Sequence, residues 1–332
     1  KEEMEREKFK SRLGFILISA GCAIGIGNVW KFPYMVGTNG GGIFVLFYLI
    51  FLAIMGVPIM SMELSIGRAS RKSTVRAYQE LEKPGTKWHL HGYVAMAGNY
   101  ILMMFYTVVT GWMIYYFYLF LTGKFDGAST EQVVASYEQM LGSPGILTVT
   151  MLIVVISGFF ICSFGLQSGV ERVTKWMMVA LLVIMVFLAF YSFTMPGAAE
   201  GLKFYLVPDM KQVKEIGLLN IITAAMNQSF FTLSLGIGAM LIFGSYLGEG
   251  RTILGEAKNI AILDTFVAIV SGLIIFPACF SFGVSPDAGP SLIFKTLPNI
   301  FASMTGGRIF GSFFFLFLFF ASFSTNIAVF EN

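Results

Sequence analysis

Stretches without Asp, Glu, Lys or Arg divide the chain into apolar runs: Leu13 to Trp30, Gly40 to Met62, Gly92 to Gly123, Leu141 to Val170, Trp176 to Ala199, Ile216 to Gly248, Thr265 to Pro286 and Ile309 to Phe330. Each is near or above the roughly 20 residues that a membrane-spanning helix needs. The runs are apolar on every face and lack the two-residue alternation of a membrane barrel. The pattern therefore predicts eight spanning helices, over about 12–36, 41–69, 91–122, 146–164, 169–193, 219–248, 254–283 and 308–332. Residues 194–218, with Pro196 and Pro208, are too polar to span and form an outer loop with room for a short surface helix.

Two of these runs are interrupted by glycine clusters, at Ala20 to Asn28 and at Ser229 to Gly238. In lipid, an unwound backbone is tolerated only where protein buries it or where it lines a cavity, because each unpaired N–H or C=O costs several kcal/mol. Five spans separate the Gly-Ile-Gly at 25–27 from that at 236–238. This spacing is expected of an inverted repeat, with 1–193 as a first repeat of five helices and 219–332 as the first three helices of a second. The chain starts at Lys1 rather than Met and stops at Asn332 with no basic flank, so a fragment of a longer protein is expected.

Composition agrees: 56% of the 332 residues are hydrophobic, 12% are charged and 35 are Phe, which excludes a soluble globular domain. The net charge of +3 is spread between the spans rather than gathered on one face, so nucleic-acid binding is not expected. Arg68, Arg71, Lys72, Arg76, Lys83 and Lys87 lie between the second and third spans, whereas Lys124 faces Asp126, Glu131 and Glu138 after the third. By the positive-inside rule the N-terminus is cytoplasmic. Cys22, Cys162 and Cys279 lie inside apolar runs without disulfide or metal spacing. An intramembrane hydrolase built on Glu63 or Asp264 is disfavoured, since no Gly-Xaa-Gly-Asp or His-Glu-Xaa-Xaa-His pattern occurs. A sensor or channel that binds without cycling stays open at this point.

The chain resembles the neurotransmitter:sodium symporter family, in particular its bacterial amino-acid transporters of the leucine-transporter type. Arg12-Leu13-Gly14, Gly25 to Pro33, Asn39 to Gly42, Pro58 with Glu63 and Gly67-Arg68, Gln228 to Gly238, and Ser324-Thr325-Asn326 follow the family's landmarks in order. The resemblance implies an all-α inverted-repeat fold, with helices 1 and 6 unwound at mid-membrane. It also implies a sodium-coupled symporter of the plasma membrane that takes a small-molecule amino acid and is not an enzyme.

Residue by residue, the resemblance gives a substrate carboxylate to the N–H groups of Ile26 and Gly27 and to the Tyr106 hydroxyl. The substrate's ammonium group falls to carbonyls of Ala23, Phe231, Thr232 and Ser234. Gly25, where monoamine carriers place an Asp, leaves room for a substrate that brings its own carboxylate. The side-chain pocket would hold Leu102, Phe231, Ile237 and Val329, with Asn326 at one edge, and would suit a hydrophobic or aromatic L-amino acid. Two sodium ions are expected. One would lie among Ala23, Asn28, Thr232 and Asp264, and the other among the carbonyls of Gly21, Ile24 and Ala321 and the hydroxyls of Ser324 and Thr325. Carbonyls, hydroxyls and carboxylates are the oxygen ligands a hard cation prefers.

Asp264 stands where chloride-dependent members carry an amide, with Ala268 one turn on, so no chloride requirement is expected. On residue type alone, Tyr106 could equally serve packing, Ser324 and Thr325 interhelical hydrogen bonds, and Asp264 a helix end. Lys31 is expected as the outer gate, with an acidic partner on a helix beyond Asn332. Arg6 with Ser245 and Tyr246 resembles the cytoplasmic latch, its acidic partner again beyond Asn332. Glu63 is expected to hold the broken first helix, with Gln228 in a similar structural role. The fifth span lacks a Pro, so any unwinding at its cytoplasmic end needs another cause.

Overall fold

The computed structural model describes residues 12–248, 250–283 and 292–332, all-helical in their regular structure. Arg6 lies outside them. Six helices are long and apolar enough to span a bilayer: Gly42–Ser70, His89–Leu121, Pro144–Ser163, Gly169–Phe193, Ile253–Ser281 and Gly307–Glu331. A seventh crossing is the pair Arg12–Ala23 and Gly27–Thr38, bent by 55°. The helices Leu218–Thr232 and Ala239–Ser245, parted by residues 233–238, form a second interrupted pair and are counted here as one span. In chain order these are spans 1 to 8, with spans 1 and 6 the interrupted ones.

Glycine and proline account for the irregularities. Gly236 and Gly238 take φ of 87° and 75°, which strand the helix of span 6 in the left-handed region, and Ser234 follows at 53°. In span 2, Pro58 carries no N–H to donate, and the turn before it, Leu52–Gly56, widens to π geometry. Span 5 opens on a π-helical Leu166–Glu171 after Gly165, whose φ is 78°. A glycine therefore supplies there the irregularity that span 5 has no proline to produce.

Small residues let the interrupted spans approach their neighbours. A Cβ on Gly67 of span 2 would fall 1.9 Å from the Leu241 carbonyl, and one on Gly244 of span 6 would fall 2.4 Å from the Leu64 carbonyl. Close backbone approach of this kind replaces the missing hydrophobic drive between helices in lipid. Span 8 packs against spans 1, 3, 4 and 5, and 72% of its apolar window is buried, against 17% for span 4. It is thus the interior post against which the break in span 1 is set.

Short helices also occur among the described residues outside the spans. Ala198–Leu206 and Met210–Ile216 occupy the loop after span 5, and Tyr205 is fully buried there, its hydroxyl donating to the Ile269 carbonyl at 2.9 Å. Thr130–Leu141 follows span 3 and starts on a capping box in which Ser129 and Gln132 satisfy each other's backbone N–H. Thr74–Leu81 lies between spans 2 and 3.

Candidate functional site at the two helix breaks

The breaks in spans 1 and 6 face each other, and side chains from neighbouring spans take up the peptide groups they free. Glu63 accepts the Gly236 N–H at 2.6 Å, and the Gln228 amide donates to the Gly27 carbonyl at 3.0 Å. The Asn99 amide donates to the Ile237 carbonyl at 2.7 Å, and Asn28 Oδ1 accepts the Gly25 N–H at 3.2 Å. The Ser234 hydroxyl crosses from one break to the other, donating to the Cys22 carbonyl at 3.3 Å. Leaving such a group buried and unmet costs about 1–3 kcal/mol, so these partners are what make unwound backbone tolerable at this depth. Glu63 corrects the sequence reading, because it serves the break in span 6 rather than that in span 1. The two breaks adjoin each other, and the sequence does not say which of them a carboxylate on span 2 faces.

Between the breaks is a cavity of about 300 Å³ lined by Ala23, Gly25, Gly27, Leu102, Tyr106, Phe231, Ser234 and Ile237, all anticipated, and by Thr325 from span 8. Cys22, Gly98, Ile101 and Leu235 also line it and were not anticipated. Asn326 and Val329 are not among its walls. The Asn326 amide is turned to the Thr110 hydroxyl at 2.8 Å and to the Ser322 carbonyl, and Val329 lines a separate cavity between spans 3, 4 and 8. One residue's step along span 8 turns a side chain by about 100°, which separates Thr325, at the cavity, from Asn326.

At one end of the cavity the Tyr106 hydroxyl accepts the Ile26 N–H at 2.9 Å. Here a ligand carboxylate would find the Tyr106 O–H and, by displacing that hydroxyl's oxygen, the Ile26 N–H at the start of the second half of span 1, where the helix dipole also favours negative charge. Gly25 is required at this point: an added Cβ would sit 2.1 Å from the Tyr106 hydroxyl and 2.6 Å from the Thr325 hydroxyl.

Two oxygen clusters flank the cavity. In the first, the Asn28 amide donates to Asp264 Oδ1 at 2.8 Å and to its carbonyl at 3.1 Å, while the Thr232 hydroxyl donates to Asp264 Oδ2 at 3.1 Å. All three residues are fully buried. Tyr48, also fully buried and not anticipated, brings its phenol near Thr232 and Asp264. In the second cluster, the Ser324 hydroxyl lies 3.0 Å from the carbonyls of Gly21 and Ala321, and the Thr325 hydroxyl lies 3.2 Å from those of Gly21, Cys22 and Ile24. One hydroxyl proton cannot serve three carbonyls, so this cluster has acceptor capacity to spare. Such a set of neutral oxygens suits a hard monovalent cation. Among the described residues no group of three or more His, Cys, Asp or Glu converges.

Lys31 sets its ammonium 3.4 Å from the centre of the ring of Phe231, a residue that lines the cavity, in a cation–π contact. The Tyr246 hydroxyl donates to Glu331 of span 8 at 2.8 Å. Ser245 turns back onto the Ile242 carbonyl of its own helix and takes no part in that pair. Arg12 pairs with the buried Glu256 at 3.0 Å, tying the start of span 1 to span 7.

The model of the sodium:neurotransmitter symporter family matches residues 6–139 and 128–332. The chain is 34% identical over 329 residues to YhdH of Bacillus subtilis, described as an uncharacterized sodium-dependent transporter, covering 99% of this chain and 72% of that protein. The sodium- and chloride-dependent taurine transporter of Bos taurus is 27% identical over 367 residues, 95% of this chain and 57% of its own. The crystal structure of MhsT in complex with L-phenylalanine superposes with a TM-score of 0.88 at 39% identity, over 98% of this chain and 73% of that one. The protein belongs to the sodium:neurotransmitter symporter family and has the leucine-transporter fold. It is a multi-pass, sodium-dependent membrane transporter of a small molecule, and not an enzyme.

Proposed function

We propose that the protein is a chloride-independent symporter that couples the inward movement of a hydrophobic or aromatic L-amino acid to two sodium ions by alternating access. The observation that carries this reading is the pairing of a cavity, carboxylate-seeking at one end and apolar elsewhere, with two oxygen clusters at the same pair of helix breaks. The likeness to MhsT, which binds L-phenylalanine, supports the substrate class.

In this reading, the Ile26 and Gly27 N–H groups and Tyr106 hold the carboxylate, and the carbonyls of Ala23, Phe231, Thr232 and Ser234 hold the ammonium group. Leu102, Phe231 and Ile237 cover the side chain. One sodium ion sits among Ala23, Asn28, Thr232 and Asp264, and completes its shell with the substrate carboxylate, so ion and substrate stabilise each other. The second sits among Gly21, Ile24, Ala321, Ser324 and Thr325 and ties span 1 to span 8. Asp264 supplies a fixed negative charge, in place of the chloride on which relatives such as the bovine sodium- and chloride-dependent taurine transporter depend. Residues 1–193 and 219–332 act as a complete and a partial repeat that rock around the site. The basic connection between spans 2 and 3 supports a cytoplasmic N-terminus in the plasma membrane.

The driving force is sufficient. A membrane potential supplies about 2.3 kcal/mol per charge per 100 mV, and a tenfold gradient about 1.4 kcal/mol. Two sodium ions then supply roughly 7 kcal/mol, enough for about 10⁵-fold accumulation on tight coupling. In proteoliposomes, uptake of L-phenylalanine or L-leucine is expected to require inward sodium and to persist when gluconate replaces all chloride. Uptake abolished by chloride removal would contradict the role given to Asp264. Sodium-dependent binding without counterflow would mark a sensor rather than a carrier.

A further inference from the structure

We propose that Gly98 sets the largest side chain this transporter accepts, by vacating the far end of the cavity for an aromatic residue. The inference rests on the function proposed above and deepens it. Residues 98, 102 and 106 are four apart on the unbroken helix of span 3, so they stack along one face, and all three line the cavity. Tyr106 marks the end that meets a carboxylate, through Ile26. Gly98 lies two helical turns away, about 12 Å along the axis.

Glycine weakens a helix interior relative to alanine, and most glycines in these spans have a packing reason to be there. A Cβ on Gly111 would fall 2.8 Å from the Thr150 hydroxyl, and one on Gly158 would fall 2.5 Å from the Phe330 ring. Gly98 has none. Its backbone is helical, and an added Cβ would meet only Ile237 Cγ2, at 3.8 Å, an ordinary contact. The space left by the missing side chain therefore belongs to the cavity. The facing wall is held at a fixed distance, because the next residue, Asn99, pins the Ile237 carbonyl at 2.7 Å while its amide also donates to the Ala95 carbonyl at 3.2 Å. Gly98 makes the room and Asn99 keeps the break from collapsing into it.

The test is sodium-dependent binding of radiolabelled L-tryptophan, L-phenylalanine, L-leucine and L-valine to the wild type, Gly98→Ala and Gly98→Leu. The wild type should bind the aromatic substrates at least as well as the aliphatic ones. Gly98→Ala should weaken tryptophan and phenylalanine about tenfold, the scale of one methylene in an apolar pocket, and Gly98→Leu about a hundredfold or more. Valine should change little in either, and the sodium concentration that half-saturates valine binding should stay the same, because the ion ligands lie at the other end. Gly98→Ala removes a helix-weakening residue, so its substrate-free melting temperature should not fall. An unchanged selectivity panel, or one in which all four substrates weaken alike, would overturn the inference while leaving the proposed function standing. Absence of sodium-dependent binding to the wild type would overturn both.

Discussion

Asp264→Ala is expected to raise the sodium concentration for half-maximal substrate binding by a hundredfold or more. The carboxylate is fully buried, accepts from Asn28 and Thr232, and has no cationic side chain among the hydrogen bonds it makes. If sodium is its counter-charge, removing the anion leaves a cation without compensation in a low-dielectric interior. Losing one partner of a buried ion pair costs about 3–5 kcal/mol, and each 1.4 kcal/mol is tenfold. Asp264→Asn separates charge from shape. It keeps groups able to hydrogen-bond Asn28 and Thr232 but drops the charge, so its sodium response should fail in gluconate and recover in chloride. Titrating substrate binding against sodium in both anions reads the result. A response unaltered in either variant would remove Asp264 from the ion site.

Gly25→Ala is expected to lower substrate affinity by about tenfold to a hundredfold, with a larger loss for bulkier replacements. The added methyl would lie 2.1 Å from the Tyr106 hydroxyl and 2.6 Å from that of Thr325. Neither can yield freely: Tyr106 is fixed on Ile26 at 2.9 Å, and Thr325 is held against the carbonyls of span 1. Overpacking of this kind typically costs 1–3 kcal/mol. Because both hydroxyls are displaced, the substrate and the second sodium site should weaken together. Equilibrium binding at several sodium concentrations checks this, and a wild-type isotherm would show that the cavity end is not where the carboxylate sits.

The two predictions stand on parts of the molecule that differ in how plainly the sequence displays them. The breaks are legible from residue order alone, since glycines clustered inside a charge-free span leave few other outcomes in lipid. Asp264 stands out for the same reason, a carboxylate at membrane depth. Ser324 and Thr325 do not, because hydroxyls of this kind commonly bridge helices, and only the family resemblance singles them out. The contacts that sequence reasoning missed join residues far apart in the chain: Asn99 with Ile237, Tyr246 with Glu331, and Cys22 with Ser234. Cys22 contributes its carbonyl, which no side-chain pattern reports. Asn326 is turned from the cavity because it is one residue's rotation on from Thr325, whereas Val329 shares the Thr325 face but lies a full turn further along, at the cavity between spans 3, 4 and 8. The helix Thr130–Leu141 has a visible signal in the Ser-Xaa-Xaa-Gln spacing at 129–132, which composition alone disguises as a polar loop.

The central claim is that the freed peptide groups of spans 1 and 6 hold an amino acid and a sodium ion against each other. The measurement that tests it most directly is the affinity for radiolabelled L-phenylalanine as a function of sodium, for the wild type and Asn28→Ala. Affinity should rise steeply with sodium in the wild type, and the dependence should become markedly shallower when Asn28 is removed. An affinity that ignores sodium in the wild type, or a sodium dependence that Asn28→Ala leaves untouched, would contradict the account.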